Sequence, residues 1–153
     1  MNRPGEPGTP GDTGSPSADQ DALTVQPAAL VAGHGGFAEG LVSAAVQITG
    51  RGDAFVPMSN RDLGADDIEQ QMRQIVEERG IRVIFTDLPA GSCTIAARRV
   101  LREHTEVTLV TGANLAALLH FVSHGAGTAH EAAVGAAERA RGSVLVVGIP
   151  GGR

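Results

Sequence analysis

The chain has 153 residues, the length of one ordinary domain, and carries a formal net charge of −5 at pH 7. That acidic balance speaks against a nucleic-acid-binding protein, and the lone Cys93 excludes an internal disulfide and a cysteine-based zinc site. No apolar run approaches the roughly 18 residues needed to span a bilayer, and the N-terminus lacks the apolar core of a signal peptide, so we expect a cytoplasmic protein.

Residues 1–26 differ in composition from the rest of the chain. They are rich in proline, glycine and serine and contain almost no large apolar side chain. Such a segment cannot bury enough apolar surface to offset the entropy that it would lose on ordering. We therefore expect residues 1–26 to form a disordered tail and residues 27–153 to form one folded domain.

From residue 27 onward, short apolar runs alternate with segments of helical spacing. The predicted elements are strand 28–33, helix 37–48, strand 53–58, helix 65–79, strand 82–86, helix 92–103, strand 106–111, helices 114–123 and 128–141, and strand 143–147. Gly80 follows the second helix where a left-handed residue is needed, and Pro57 indicates that its strand lies at a sheet edge. The alternation predicts an α/β fold, with a mostly parallel sheet and helices on both faces.

Two loops with unusual residues follow predicted strands. Ligands of such sheets bind in the crevice beyond the carboxyl ends of the strands. In the first loop, Gly33-His-Gly-Gly36, the glycines leave the His34 imidazole uncrowded and let the backbone approach a ligand. The loop opens onto a helix N-terminus, whose free N–H groups favour an anion. His34 is therefore a candidate nucleophile toward phosphorus, and Gly35 and Gly36 are candidate phosphoryl-binding residues.

The second loop runs from Asp87 to Ser92 after the third strand, so Asp87 should project at the same sheet edge as His34. A carboxylate beside an imidazole fixes its tautomer and raises the basicity of the other ring nitrogen. Gly91 and Ser92 open the next helix, where Ser92 is a candidate N-cap that can also bind a phosphoryl group. The plainer alternatives are a polar turn residue for His34, an Asx-type turn for Asp87 and pure capping for Ser92.

Three other patterns carry weaker signals. Gly33 to Ala38 fits the dinucleotide fingerprint G-x-G-x-x-A, but no acidic residue for a ribose follows the second strand. Cys93 and Arg99 have the Cys-x5-Arg spacing of thiolate phosphatases, but no glycine between them forms a phosphate cradle. Three histidines between positions 120 and 130 lack the Glu motif or cysteine that would complete a metal site. We therefore expect neither a cofactor nor a bound metal.

Three blocks occur along the chain in a characteristic order: Val31-Ala-Gly-His-Gly-Gly-Phe-Ala-Glu-Gly-Leu41, Phe85-Thr-Asp-Leu-Pro-Ala-Gly-Ser92 and Val110-Thr-Gly-Ala-Asn-Leu-Ala-Ala-Leu-Leu119. Together they resemble mannose-type enzyme IIA domains of the bacterial phosphoenolpyruvate:sugar phosphotransferase system. The first block is similar to the family's active-site segment and the second to its Asp-containing loop. The resemblance covers about residues 30–147.

The resemblance implies a phosphocarrier protein. His34 would accept a phosphoryl group from the phosphohistidine of HPr and pass it to enzyme IIB. Asp87 would orient His34, and Ser92 with nearby backbone amides such as that of Gly91 would hold the phosphoryl oxygens. It also implies a homodimer that exchanges its last strand, here residues 143–147, and association with membrane sugar-transport subunits.

The sequence departs from the family pattern in the second loop. Ala90 stands where glycine is usual, Cys93 where proline is common, and Thr94-Ile95 replaces the more usual Phe-Asn. These positions would frame the phosphoryl group and meet enzyme IIB. A second hypothesis is therefore a regulatory relay of the same fold, acting on a kinase or regulator instead of a transporter. A third is a binding module that has kept the fold and lost phosphotransfer.

Overall fold

A computed structural model of the chain describes residues 28–124 and 127–151, so the predicted tail, residues 1–26, lies outside the described residues. Within them, the chain order is β1 (Ala29–Gly33), α1 (Phe37–Thr49), β2 (Phe55–Ser59), α2 (Ala65–Arg79), β3 (Val83–Thr86), α3 (Ser92–Val100), β4 (Thr108–Thr111), α4 (Leu115–Ser123) and α5 (Ala129–Ser143). A short 3₁₀ turn, Gly52–Ala54, leads into β2. No described helix is long and apolar enough to cross a membrane.

The four described strands form one parallel sheet in the order β2-β1-β3-β4. Strand β1 lies between β2 and β3, with Ala29 opposite both Phe55 and Val83. Pro57 lies in β2, which pairs only with β1 among the described strands, so the prediction of an edge strand is confirmed. An edge position suits proline because it has no N–H to donate to a second neighbour.

The central strands are buried on both faces. Ala29 and Val31 of β1 pack into a core with helices α1, α4 and α5, whereas Leu30 and Ala32 pack on the opposite face with α2 and α3. A parallel strand covered on both sides needs a continuous apolar run and not an alternating one, which is the pattern that β1 has. The predicted α/β fold with helices on both faces is confirmed.

The strand order also creates the crevice. Because β1 and β3 are neighbours and their following helices, α1 and α3, pack on opposite faces, the chain diverges at the carboxyl ends of these strands. This divergence is the switch point at which open α/β sheets bind ligands. The loops that contain His34 and Asp87 begin there.

The C-terminal prediction is wrong in part. Helix α5 continues through Ser143, and residues 144–149 adopt no regular secondary structure and pair with none of the described strands. Their apolar side chains are exposed, with Val144 at 76%, Val146 at 100% and Ile149 at 88%. The physical reason is that a strand needs a neighbour for its N–H and C=O groups, and the segment meets none within one chain. Helix α3 is also shorter than predicted, since residues 101–103 form a turn.

Candidate functional site

His34 and Asp87, each the first residue after its strand, are in direct contact. The imidazole Nδ1 lies 2.7 Å from Asp87 Oδ2, and the backbone N–H of His34 donates to the same oxygen over 2.8 Å. One carboxylate oxygen therefore fixes both the loop and the ring. The His34 side chain is 50% exposed and that of Asp87 only 10%. The ring is therefore held by a largely buried carboxylate and stays accessible to a reaction partner.

The Asp87 carboxyl is ionised at neutral pH. Burial raises its pKa, but the hydrogen bonds from the His34 amide and imidazole together lower it by more, so the pKa lies below the ordinary value. Oδ1, the second carboxylate oxygen, is buried and accepts no hydrogen bond from the described residues. The interactions that stabilise this negative charge are therefore concentrated on His34.

Two glycines allow the close approach of this pair. A Cβ on Gly33 would lie 2.6 Å from Cδ1 of Phe37 and 3.0 Å from Asp87 Oδ2. A Cβ on Gly91 would lie 3.1 Å from His34 Cε1, which is tighter than an ordinary contact. The imidazole consequently lies directly against the backbone at the start of α3.

The first turn of α3 is left without a side-chain cap. Gly91, not Ser92, is the N-cap residue, so the prediction that Ser92 is the N-cap is wrong by one position. Instead, Ser92 Oγ accepts a hydrogen bond from Asn60 Nδ2 over 3.0 Å. Because Gly91 has no side chain to occupy the first-turn amides, they and the positive end of the helix dipole are available to an anion beside His34.

The carboxyl end of β2 braces the His34 loop. Ser59 Oγ donates to the Gly35 carbonyl over 2.7 Å and accepts from the Arg61 amide over 3.1 Å. Gly35 has φ +53°, a left-handed conformation that glycine adopts without strain. The sequence predicts neither this brace nor the contact of Asn60 with Ser92. The only feature of the sequence that points to these contacts is the position of the polar residues Ser59 and Asn60 at the end of the predicted edge strand.

The Asp87 loop is tied down by Thr94, one of the positions that depart from the family pattern. Thr94 Oγ1 lies 2.6 Å from Thr86 Oγ1 and also donates to the Leu88 carbonyl. Both threonines are fully buried. A buried hydroxyl pair of this kind fixes the loop because leaving either group without a partner would cost free energy.

The structure separates the residues of the thiolate phosphatase motif. Cys93 is fully buried, and burial together with the nearby charge of Asp87 raises the pKa of its thiol to about 11, so the thiol stays protonated at neutral pH. Arg99 is turned away toward α2, with Nη1 3.2 Å from Glu69 Oε2. The two residues therefore share no anion site.

The three C-terminal histidines are likewise dispersed. The rings of His120 and His124 have centroids 5.9 Å apart, but His130 turns to β4, with Nδ1 3.1 Å from Thr108 Oγ1. No group of three or more His, Cys, Asp or Glu residues that could hold a metal ion occurs in residues 28–124 and 127–151.

A comparison of the sequence with models of known protein families identifies the family to which the chain belongs. The model of the family described as "PTS system fructose IIA component" matches residues 28–138, which include His34, Asp87 and both flanking loops. The chain belongs to this family. It is thus an enzyme IIA component of the phosphotransferase system, and the resemblance to mannose-type enzyme IIA domains is confirmed. No curated protein sequence matches the chain.

Solved enzyme IIA structures share the fold. The mannose/sorbose-specific IIA subunit from Enterococcus faecalis superimposes with a TM-score of 0.70 at 21% identity, covering 82% of this chain and 98% of that one. A component EIIA from Streptococcus agalactiae gives 0.72 at 17% identity, covering 78% and 95%. The PTS IIA protein associated with the fucose utilization operon of Streptococcus pneumoniae gives 0.67 at 24% identity, covering 79% and 93%.

The lowered pKa of Asp87 predicts how this contact contributes to the stability of the enzyme IIA domain. A carboxyl whose pKa is lower in the folded state stabilises the fold above its unfolded-state pKa of about 3.9, and this contribution is lost as the pH falls through the folded-state pKa. Asp87→Asn should therefore reduce the free energy of unfolding by urea more at about pH 5 than at about pH 2.5. The matched control is Asp62→Asn, an exposed carboxylate at a left-handed position that Asn tolerates, and its effect should be small at both pH values. An Asp87→Asn effect that does not change with pH would contradict the assignment.

Proposed function

We propose that the chain is a phosphohistidine carrier in which His34 accepts a phosphoryl group from HPr and passes it to enzyme IIB. Enzyme IIB would in turn supply membrane sugar-transport subunits, so this chain would act in the cytoplasm. The family membership supports phosphotransferase chemistry in general. The observation that carries the specific role is the His34–Asp87 contact, which, within the described part of the chain, holds a half-exposed imidazole through Nδ1 alone.

The geometry favours Nε2 of His34 as the nitrogen that carries the phosphoryl group. When Nδ1–H donates to Asp87 Oδ2, the lone pair of the neutral ring resides on Nε2. That lone pair forms the new N–P bond while the electrons of the donor's N–P bond return to the donor imidazole. The Nδ1 proton stays between His34 and Asp87, whose negative charge stabilises the positive charge that the phosphorylated ring acquires.

The phosphoryl oxygens would meet backbone donors on both sides of the ring. Gly35 and Gly36 lead into α1, which has no side-chain cap, and Gly91 and Ser92 begin α3, which also has none. Each helix N-terminus carries roughly half a unit of positive charge, and its free amides can donate to the oxygens. This arrangement supports the assignment of these four residues to phosphoryl binding.

The rim of the site suits a protein donor and acceptor. Leu88, in the Asp87 loop, is 52% exposed, and Ile95, in the first turn of α3, is 50% exposed. Apolar side chains that border a reactive group in this way can be covered by a partner protein during transfer. A phosphorylated protein is therefore a better fit than a free metabolite as the phosphoryl donor.

The carrier role predicts acid-labile phosphorylation at one histidine. After incubation with phosphoenolpyruvate, enzyme I and HPr, intact-mass analysis should find one phosphoryl group on the wild type and none on His34→Ala. Asp87→Asn should lower the transfer rate by about 10- to 1,000-fold, because the ring loses the carboxylate that fixes its tautomer. His130→Ala, an exposed histidine outside the site, is the matched control and should be phosphorylated like the wild type.

The carrier role would be refuted if charged HPr left the wild type unphosphorylated. If the wild type is phosphorylated, adding enzyme IIB to it tests the proposed acceptor. Transfer of the phosphoryl group to enzyme IIB supports the transport role. Retention on the chain in the presence of enzyme IIB would overturn that acceptor and favour the regulatory relay.

We also propose that the chain forms a homodimer by exchanging its C-terminal segments, residues 144–149. Two observations support this. The segment exposes Val144, Leu145, Val146, Val147 and Ile149, a run of high β-propensity. Strand β4 pairs only with β3 among the described strands, which leaves its other edge open to an added strand.

Dimer formation can be tested by removing the segment. Truncation after Ser143 should convert a dimer to a monomer in light scattering, because the exchanged strand supplies both backbone pairing and apolar contact. Ile48→Glu, which changes an apolar side chain that is 61% exposed on α1, is the control and should leave the dimer intact. A wild type that is monomeric at high concentration, or a truncated chain that stays dimeric, would contradict the exchange.

A further inference from the structure

Arg61 is positioned beside the His34 loop by the brace at the end of β2. Its backbone N–H donates to Ser59 Oγ, which donates in turn to the Gly35 carbonyl. Its guanidinium also turns toward that loop: Nη2 lies 3.8 Å from where a Cβ on Gly35 would stand. Gly35 directly follows His34, so the main chain of Arg61 is anchored next to the reactive residue and its guanidinium lies beside the same loop.

The guanidinium is also available to an incoming anion. Arg61 is exposed, and no carboxylate in the described part of the chain lies within 4.0 Å of its nitrogens. Several other arginines are held in ion pairs at a distance from the site, such as Arg73 with Glu69 and Arg82 with Glu106. The chain contains no lysine, so arginine is the only side chain that can supply a permanent positive charge.

The site needs such a charge once His34 is phosphorylated. A phosphoryl group adds a charge of about −1.5 to −2 at neutral pH. It would be added next to Asp87, which is already ionised and whose charge is stabilised mainly by hydrogen bonds from His34. The dipoles of α1 and α3 offset part of this charge, and a cation at the rim would offset more of it.

We propose that Arg61 is a phosphoryl-binding residue whose guanidinium donates hydrogen bonds to two oxygens of the phosphoryl group on His34. The proposal rests on the phosphocarrier role but goes beyond it, because it assigns to the phosphorylated state a residue outside the two loops that the sequence singled out. A guanidinium is suited to this contact because its planar N–H groups match two phosphoryl oxygens at once. No bond is made or broken by Arg61, which acts on the product of transfer.

The test uses the full chain charged chemically with phosphoramidate, so that it does not depend on a partner protein. Phosphorus-31 NMR follows the phosphoryl signal that His34→Ala removes, over a pH titration. In Arg61→Gln, the pKa of that phosphoryl group should rise by about 0.5, because a nearby cation favours the doubly ionised form. Arg61→Lys should restore part of the effect. Arg79→Gln removes the same charge from an exposed position in the last turn of α2 and should match the wild type.

A second readout is the transfer equilibrium with HPr. Arg61→Gln should lower the equilibrium constant for charging the chain about threefold to tenfold, and Arg79→Gln should leave it unchanged. An unchanged phosphoryl pKa in Arg61→Gln would overturn the proposal, even if transfer from HPr became slower, since that result would place Arg61 in donor docking.

The two proposals can fail separately. If HPr charges the wild type and Arg61→Gln equally and their phosphoryl pKa values agree, the Arg61 contact is wrong and the carrier role stands. If HPr charges neither, but the chemically charged wild type and Arg61→Gln differ as expected, the HPr donor is wrong and the Arg61 contact stands. If neither charged HPr nor phosphoramidate produces a His34-dependent phosphoryl signal, both proposals are overturned.

Discussion

The contact between the His34 imidazole and the Asp87 carboxylate is the interaction on which the site depends. It joins residues that are 53 positions apart, and it forms because β1 and β3 are neighbours in a parallel sheet. The glycines at positions 33 and 91 then leave room for the ring to reach the carboxylate. The strand order, the glycines of the two loops and the proposed chemistry of His34 therefore all depend on the hydrogen bond between Nδ1 of His34 and Asp87. Without that bond, the imidazole would have no fixed position or tautomer at this site.

The negative charge of the Asp87 carboxylate also determines which charges the rest of the site must supply. In the proposed carrier role, the buried anion Asp87 resists the transfer of a phosphoryl group to His34 unless positive charge is supplied nearby. The uncapped first turn of α3 supplies a partial charge, and Arg61 brings a full one from the end of β2. The site is thus built from three strand ends and not from the two loops alone. Ser59 and Asn60 link the third strand end to the other two.

The sequence predicts the parts of this structure that depend on periodic or local patterns. Apolar runs and helical spacing locate the four strands and five α-helices that residues 28–124 and 127–151 form, and the strand-end rule brings His34 and Asp87 to one edge. The roles of Asn60 and Arg61 in the site cannot be predicted from the sequence. A polar residue after an edge strand shows no periodic pattern, and the residues that it contacts lie far away in the chain. Residues 144–147 have the composition of a strand, but pairing is a non-local property that composition alone does not decide. The sequence also places the N-cap one residue too late: Gly91 is the N-cap, and the Ser92 hydroxyl accepts from Asn60, whose contact with it is not visible in the local sequence.

The most direct test of the account is the protonation of the His34 ring in the unphosphorylated chain, measured by long-range proton–nitrogen-15 correlation NMR at neutral pH. Asp87 accepts from Nδ1, so the neutral ring should carry its proton on Nδ1 and leave Nε2 unprotonated as the nucleophile. In Asp87→Asn this preference should weaken or reverse. A neutral ring protonated on Nε2 in the wild type would contradict the account, because the nitrogen that we propose to attack phosphorus would then have no lone pair available.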